Sequence, residues 1–454
     1  MILCCGFVIA QDETINETQK YQYKDSPYQW HEIDTGMYNF EHYNFNQTDG
    51  WEYYDIGNSG LAQYSMTFEP NRKQGFQAGF SGFERYQYTI DKIKYYQIAK
   101  PFSEISYTMG TKRENIFQGR LAQNIKNRLE FGVDFMRLSS LGIFEGQRTR
   151  NSGFSLYSMI HSKNNRYHFG VDIAYNRVKA TENGGIVEDF VDNDSIQYGN
   201  PLFYTSQLGE DAVTEQNNID VLFSNHYDVG FSQIDSINDT VAVKRYYATW
   251  RFSQELGIER ERYHFLDENP DSSFYGEFFQ IADSAVYDME FRTITNGIGI
   301  SYLGAKEKVD TIEYRHFAAN GFIRSQHVKL KERSFDEVDF KTQNVFVEGN
   351  FYANPLRESS LFYQAKAIYY LAGYNQHDLH LSGDIGWEMN KWGNVSASAS
   401  FHNVSPTWIE SFYFRKGALW SNEYKKTKSL QFAVQYQLPK YKASIGFSYS
   451  LVDK

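Results

Sequence analysis

The amino-acid sequence predicts an all-β protein, an antiparallel transmembrane β-barrel with roughly 16–19 visible strands. Three observations support this prediction: long strands with two unlike faces, an excess of aromatic residues, and the lack of an apolar run long enough for a helical span. A sheet placed in lipid satisfies all of its backbone groups only when it closes into a barrel. Strands of membrane-spanning length therefore indicate a barrel rather than an open sheet.

The last two arms of the chain show the alternation most clearly. Before the turn at 439–440, the large apolar set is Leu430, Phe432, Val434, Tyr436 and Leu438, and the other set is Ser429, Gln431, Ala433, Gln435 and Gln437. After the turn, Ala443, Ile445, Phe447, Tyr449 and Leu451 alternate with Ser444, Gly446, Ser448 and Ser450. A period of two indicates a β-strand with unlike faces. Strands of about nine to eleven residues cross a tilted bilayer, whereas sandwich strands have about five or six.

The composition agrees with a barrel. Aromatic residues make up 17% of the 454 residues, with 36 Tyr and 36 Phe, and they suit strands and membrane interfaces. The mean hydropathy of −0.59, with no apolar run near ~18 residues after the N-terminus, excludes helical spans. A formal net charge of −11 provides no basic surface for nucleic acid.

The first ten residues are predicted to be the remnant of a secretory signal peptide. Both cysteines, Cys4 and Cys5, lie in this apolar stretch, and Ala10 offers a small residue for cleavage. A lipoprotein signal is the alternative, but the apolar stretch before the cysteines is too short for it. The predicted division is 1–10 signal peptide remnant, 11–50 periplasmic lead-in and 51–454 transmembrane β-barrel.

Arms of the barrel are predicted to begin near 76–88, and the connections fall into two kinds, as in outer-membrane barrels. Short turns at 163–165 and 439–440 are predicted to face the periplasm. Long connections at 179–216 and 403–427 are predicted to face outward. Because only about forty residues precede the predicted barrel, we expect no folded plug like that of a TonB-dependent receptor.

Several stretches of the chain resemble a known family. They read DIGNSGLAQYSMTF at 55–68, PFSEISYTMGTKRENIFQGRLAQNI at 101–125, LEFGVDFMRLSSLGIFEGQRTRNSGFSLYS at 129–158 and ENGGIVED at 182–189. The chain resembles the Bacteroidetes putative porin family from about Tyr38 to the end, most distinctively up to Asp189. This resemblance implies an outer-membrane location and a channel role, and it implies no catalytic residues and no particular solute.

The candidate functional residues are charged side chains on predicted lumen faces. They are Glu130, Asp134, Asp172, Lys366, Asp384 and Glu388. Rings of such charges set ion preference in wide pores, and the excess of acid favours cations. For any one of them the alternative is an ordinary water-facing residue of a barrel interior. The acidic stretch 188–194 lacks the spacing of a calcium loop, and it is interpreted as an outer loop, a bridge to lipopolysaccharide or a lumen constriction.

No metal ion or other cofactor is predicted. His377, Asp378 and His380 resemble a metal cluster, but residues three apart on a strand point to opposite faces. His161 and His168 flank a tight turn and could approach each other, yet two ligands do not close a zinc site.

The predicted function is that of an outer-membrane porin, a passive diffusion channel for small hydrophilic solutes through a polar lumen. The sequence has no G-x-S-x-G elbow and no phosphate-binding loop, so we expect no enzyme activity. The alternative is a structural or accessory barrel that binds envelope proteins or glycans through its outer loops. Expected partners are outer-membrane lipid, lipopolysaccharide and small solutes, and the oligomeric state stays open.

The final arm also predicts a gap in the barrel. A strand that leaves a periplasmic turn at 439–440 ends on the outer side at Lys454. Single-chain bacterial barrels have an even number of strands, so both chain ends lie in the periplasm. We therefore expect at least one C-terminal strand to be missing, with a gap between the last strand and the first.

Overall fold

The structure is a computed structural model dominated by long antiparallel strands. It describes residues 20–24, 31–33, 53–66, 73–98, 100–126, 128–185, 208, 211–238, 241–270, 272–275, 284–304, 306–309, 312–315, 317–333, 338–354, 360–389, 392–415, 418–441 and 443–453. The predicted signal peptide and the acidic stretch 188–194 lie outside these residues.

The strands follow one another closely along the chain. In chain order they are β1 (Lys20–Tyr23), β2 (His31–Glu32), β3 (Tyr53–Asp55), β4 (Gln63–Ser65), β5 (Lys94–Gln97), β6 (Phe102–Met109), β7 (Asn115–Ile125), β8 (Leu129–Ser140), β9 (Thr149–His161), β10 (Tyr167–Thr181), β11 (Ala212–Asn238), β12 (Val241–Asp267), β13 (Ala285–Tyr302), β14 (Lys306–Val309), β15 (Ile312–Arg315), β16 (Phe317–Glu332), β17 (Val338–Ala353), β18 (Leu361–Ala372), β19 (Leu379–Glu388), β20 (Asn394–Val404), β21 (Phe412–Arg415), β22 (Ala418–Ser421), β23 (Thr427–Leu438) and β24 (Ala443–Asp453). Helices are short: α1 (Ser272–Tyr275), α2 (Trp408–Ser411) and 3-10 turns at Glu84–Tyr86, Ile90–Lys92 and Pro439–Tyr441. No helix among the described residues is long and apolar enough to cross a membrane.

One antiparallel sheet of 15 strands dominates the fold, with each strand hydrogen-bonded to the next of the set along the chain. It contains β6–β13, β16–β20, β23 and β24. This confirms the predicted all-β class; among the described residues the sheet has 15 strands, where roughly 16–19 were predicted. The arm predicted at 76–88 is wrong, because those residues contain 3-10 turns and lie against the sheet rather than in it. The sheet ends at β6 and β24, and among the described residues no pairing joins these two strands.

Successive connections of an antiparallel sheet lie at opposite ends. We call the end with the β9–β10, β19–β20 and β23–β24 turns the turn end, and the end with the β10–β11 and β20–β23 connections the loop end. The short turns at 163–165 and 439–440 thus share one end, and the two long connections share the other. Which end faces the periplasm stays a prediction.

The outward face of the sheet is apolar and exposed. On β13, Ile294, Ile298 and Ile300 are each exposed and lie on the same face, since they are separated by even numbers of residues. Toward the turn end an aromatic row crosses the strands, with the Trp250 and Tyr302 ring centroids 5.1 Å apart and those of Tyr302 and Phe317 also 5.1 Å apart. An apolar band bordered by aromatic rings is the outer surface expected of a barrel in lipid.

Candidate functional site: the inner face of the sheet

Residues 53–66 and 73–98, which we call the inner segment, pack against the face of the sheet opposite the apolar band. Three buried clusters join them to the 15-stranded sheet, which we call the wall. One cluster contains Phe76, a second Tyr86 and a third Ile93. Wall residues of these clusters include Phe265, Phe291, Leu330, Leu138, Val178, Tyr157 and Ala174. A stretch of the chain within the predicted barrel, 51–454, therefore packs against the sheet instead of forming part of it. The apolar residues of 76–98 suggested a wall strand, but they bury themselves against the wall instead.

Two of the stretches that carry the family resemblance pack on each other at the loop end. The Thr149 hydroxyl donates to the Ser59 carbonyl at 2.7 Å, and the Asn151 amide donates to the Gly60 carbonyl at 2.8 Å. Gly60 has a φ of +90°, and a Cβ there would lie 2.6 Å from Leu138 Cδ2. Only glycine fits such a backbone at this distance from the wall.

Asn176 on β10 holds the middle of the inner segment through its backbone. Its side-chain oxygen accepts from the Tyr88 N–H at 2.7 Å, and its side-chain amide donates to the Tyr88 carbonyl at 2.7 Å. Nearer the turn end, the Tyr96 N–H donates to the Tyr157 hydroxyl at 2.9 Å. These bonds satisfy backbone groups of a segment that does not join the principal sheet.

The inner segment also contacts residues near strands that lie far along the sheet from β9 and β10. The backbone N–H of Trp408 donates to the Gln77 carbonyl at 2.9 Å, and the side-chain amide of Asn375 donates to the Gly75 carbonyl at 3.3 Å. Phe80 stacks on Tyr263 with ring centroids 3.8 Å apart. The inner segment therefore bridges strands that are far apart in the sheet, and it covers much of the inner face near the loop end.

One group of charges on the inner face is paired across neighbouring strands. The Arg324 guanidinium donates to Glu255 at 2.7 Å and to Glu348 at 3.1 Å. It crosses β13 at Gly297, where a Cβ would lie 3.0 Å from Arg324 Nη1. Lys366 Nζ lies 3.7 Å from Glu348. Sequence reasoning missed this network, since its members lie on four different strands.

The six predicted lumen residues all occupy inner-face positions in the strand alternation. Asp134 and Asp172 are buried beneath the inner segment, where Tyr95 donates to Asp172 at 2.7 Å. Glu130 lies 3.8 Å from His161, Lys366 belongs to the Arg324 network, Asp384 accepts from Gln364 at 3.0 Å, and Glu388 is exposed at the end of β19. The six do not form one ring, and their influence on ion preference stays a prediction.

The inner face of β20, β23 and β24 has a different composition. Its positions between the two ends are Asn394, Ser396, Ser398, Ser400, Gln431, Ala433, Gln435, Gln437, Ser444, Gly446, Ser448 and Ser450, which we call the polar wall. None of these residues is charged. They pair in rows across the strands, as in Ser400, Gln431 and Ser450, and all are exposed or half-buried. This surface can exchange hydrogen bonds with water and with passing solutes.

The histidines singled out in the sequence have separate partners. Tyr369 and His377 share a hydrogen bond of 2.9 Å, whereas His380 faces His402 with 3.1 Å between their Nδ1 atoms. His161 and His168 approach across their hairpin, with their Nδ1 atoms 2.5 Å apart. Among the described residues no group of three potential ligands could hold a metal ion.

Two titratable groups of the inner segment show the effect of burial. Burial raises the pKa of the Tyr86 phenol well above its ordinary value, and the Tyr86 hydroxyl accepts from the Gly60 N–H at 3.1 Å. Burial lowers the pKa of the Lys94 ammonium to about 8, and Lys94 Nζ lies 4.7 Å from the centre of the Tyr21 ring. These two side chains are therefore partly or wholly withdrawn from water.

The family model described as putative porin matches residues 14–454. The chain belongs to this family. No curated protein matches it. Together with the all-β sheet and its exposed apolar band, family membership makes the protein an outer-membrane β-barrel, in a family of transport-related barrels rather than of enzymes.

Solved structures with a similar fold are outer-membrane receptors. FpvAI in its complex with pyocin S2 has a TM-score of 0.51 at 10% identity, over 88% of this chain and 57% of that one. P. aeruginosa FpvA bound to a heterologous pyoverdine scores 0.47 at 10% identity, over 77% and 48%. The ferric enterobactin receptor PfeA from Pseudomonas aeruginosa scores 0.46 at 8% identity, over 77% and 53%. This chain spans about half the length of these receptors. The similarity to FpvAI supports the barrel fold and nothing beyond it.

Proposed function

We propose that this barrel is a diffusion channel for small hydrophilic solutes in the outer membrane. The observation that carries the proposal is the polar wall, a continuous uncharged surface on the inner face of β20, β23 and β24. Serine and glutamine side chains replace the hydrogen bonds that a solute loses from water, without requiring a charge to be desolvated. Passage then depends on width and hydrogen bonding, with no covalent chemistry.

The inner segment defines where such a channel would run. It packs on wall residues from β7 to β17, and its hydrogen bonds with Trp408 and Asn375 lie in connections at the loop end, whereas the polar wall lies between the two ends of β20, β23 and β24. Solutes would therefore pass beside the inner segment, along β20, β23 and β24. Width in this remaining space would set the size limit.

Planar bilayers test this proposal directly. The purified full-length protein should insert in discrete conductance steps, and liposomes containing it should swell in isotonic glucose. A barrel that inserts, as judged by its shift in heat-modifiable gel mobility, and still leaves both membranes sealed would contradict the channel.

The inner segment favours one second candidate, a closed barrel that binds envelope partners through its outer loops. Its three buried clusters and its backbone hydrogen bonds hold it firmly on the inner face, as a segment that keeps the lumen closed would be held. Absence of conductance together with a stable partner that copurifies from outer membranes would support this candidate over the channel.

A further inference from the structure

At the loop end the outward face changes from apolar to basic. Directly above the apolar band, one register row of the sheet places four cations side by side on neighbouring strands. Arg260 pairs with Arg292, Arg292 with Lys329, and Lys329 with Lys341. We call these four residues the basic row. Like charges placed directly opposite each other destabilise a sheet unless anions lie between them.

Two carboxylates of the next row only partly balance the basic row. Glu290 lies 3.0 Å from Arg260 and 2.6 Å from Arg292, and Asp339 lies 3.5 Å from Lys341 and 4.0 Å from Lys329. Four cations thus share two anions, in a chain whose net charge is −11. The side chains of the basic row are 39–60% exposed, so they remain accessible from outside the barrel.

Further cations extend this surface along the sheet to β10 and, just after β16, toward the loop end. On β10, Arg177 and Lys179 share the single carboxylate of Glu215, at 3.7 and 2.7 Å. Beyond β16, Arg333 Nη1 lies 4.0 Å from Asp288. The excess of positive charge therefore follows the boundary between the apolar band and the loop end over several strands.

A surface of this shape fits anionic headgroups packed around the barrel. Neighbouring strands lie about 4.8 Å apart, so the four cations of the basic row extend over roughly 15 Å along the barrel wall. Acyl chains would cover the apolar band below, while the phosphates meet arginine and lysine at the height of the headgroups. A soluble phosphate would gain the charge contacts but not the apolar ones.

We propose that the basic row binds the phosphate groups of outer-leaflet lipid, of the lipid A type, and so fixes the barrel at its height in the membrane. This places the loop end at the cell surface, because phosphorylated glycolipid of this type lies in the outer leaflet. The proposal does not depend on conduction. It requires only that the barrel lies in an outer membrane.

Native mass spectrometry of the purified full-length barrel with added bisphosphorylated lipid A tests the proposal. Each cation near such a surface contributes about fivefold in affinity, so Arg292→Gln with Lys341→Gln should weaken lipid A binding by roughly twenty- to thirtyfold. Lys163→Gln with Lys440→Gln removes two cations at the turn end and should leave binding unchanged. We call the Arg292→Gln, Lys341→Gln protein the basic-row variant. Removing the phosphates from lipid A should weaken its binding to the wild type as much as the basic-row variant weakens the binding of bisphosphorylated lipid A.

Three results would overturn the proposal. One is equal binding of lipid A by the wild type and the basic-row variant, in protein whose heat-modifiable mobility shows a folded barrel. Another is an equal loss of binding in the turn-end control, which would mean that only net charge matters. The third is displacement of lipid A by millimolar inorganic phosphate, which would assign the site to free phosphate rather than to a lipid.

Discussion

Replacing Asn176 by Leu tests whether hydrogen bonds to the wall hold the inner segment in place. Asn176 is 2% exposed, and its side chain pairs with both the N–H and the carbonyl of Tyr88. Leu has a similar size but leaves both backbone groups buried without a partner. Each such group costs about 1–3 kcal/mol, so local release of the segment should become easier by about 2–6 kcal/mol, roughly 30-fold or more.

Hydrogen exchange measured by mass spectrometry reports this local release. In Asn176→Leu, peptides from 84–98 should exchange at least ~30-fold faster, while peptides from β19 and β20 keep their rates. Asn225→Leu is the matched control, because Asn225 bonds to Tyr167 and Gln254 on the other face of the sheet. Unchanged exchange in 84–98 of Asn176→Leu would refute the argument that these bonds anchor the segment.

Three further predictions concern the charges and the orientation of the barrel. Arg324→Met leaves Glu255 and Glu348 without their shared cation, and it should lower the free energy of unfolding in urea by about 3–5 kcal/mol. Adding Glu255→Gln and Glu348→Gln should restore most of this loss. No recovery would contradict the pairing. Between about pH 8 and 10 the folded chain binds fewer protons at Lys94 than the unfolded chain does. Thermal stability should therefore rise with pH across that window. A rise of equal size in Lys94→Met would show that Lys94 is not the cause. Protease added to intact cells should cut the β10–β11 connection and spare the β23–β24 turn; the opposite pattern would reverse the orientation.

The wall of the barrel was predictable from sequence because alternation is a local signal. In β23 and β24, a period of two over about ten residues fixes which side chains share a face, and the register in the structure follows it. The same alternation placed Asp384 and Lys366 on the inner face. The aromatic row near the turn end was predictable from composition, although its members Trp250, Tyr302 and Phe317 were not.

The inner segment was not predictable, since nothing local separates a strand in the wall from an extended segment packed against it. Phe76 and Tyr86 have the apolar character of wall residues, and their burial depends on partners far away in sequence. One signal was available in the DIGNSG stretch, where glycines and small polar residues interrupt the alternation. Gly60 and Ser59 of that stretch contact the wall directly.

The central claim is that solutes pass along the inner face of this barrel, and adjacent residues of one strand provide its most direct test. Ser398 lies in the polar wall, and Ala399 points to the opposite, apolar face. With Cys4 and Cys5 replaced by Ser, single-channel current should fall in steps when a bulky water-soluble thiol reagent is added to Ser398→Cys, and should stay constant for Ala399→Cys. A current reduced in Ala399→Cys but not in Ser398→Cys, or in neither, would contradict the account.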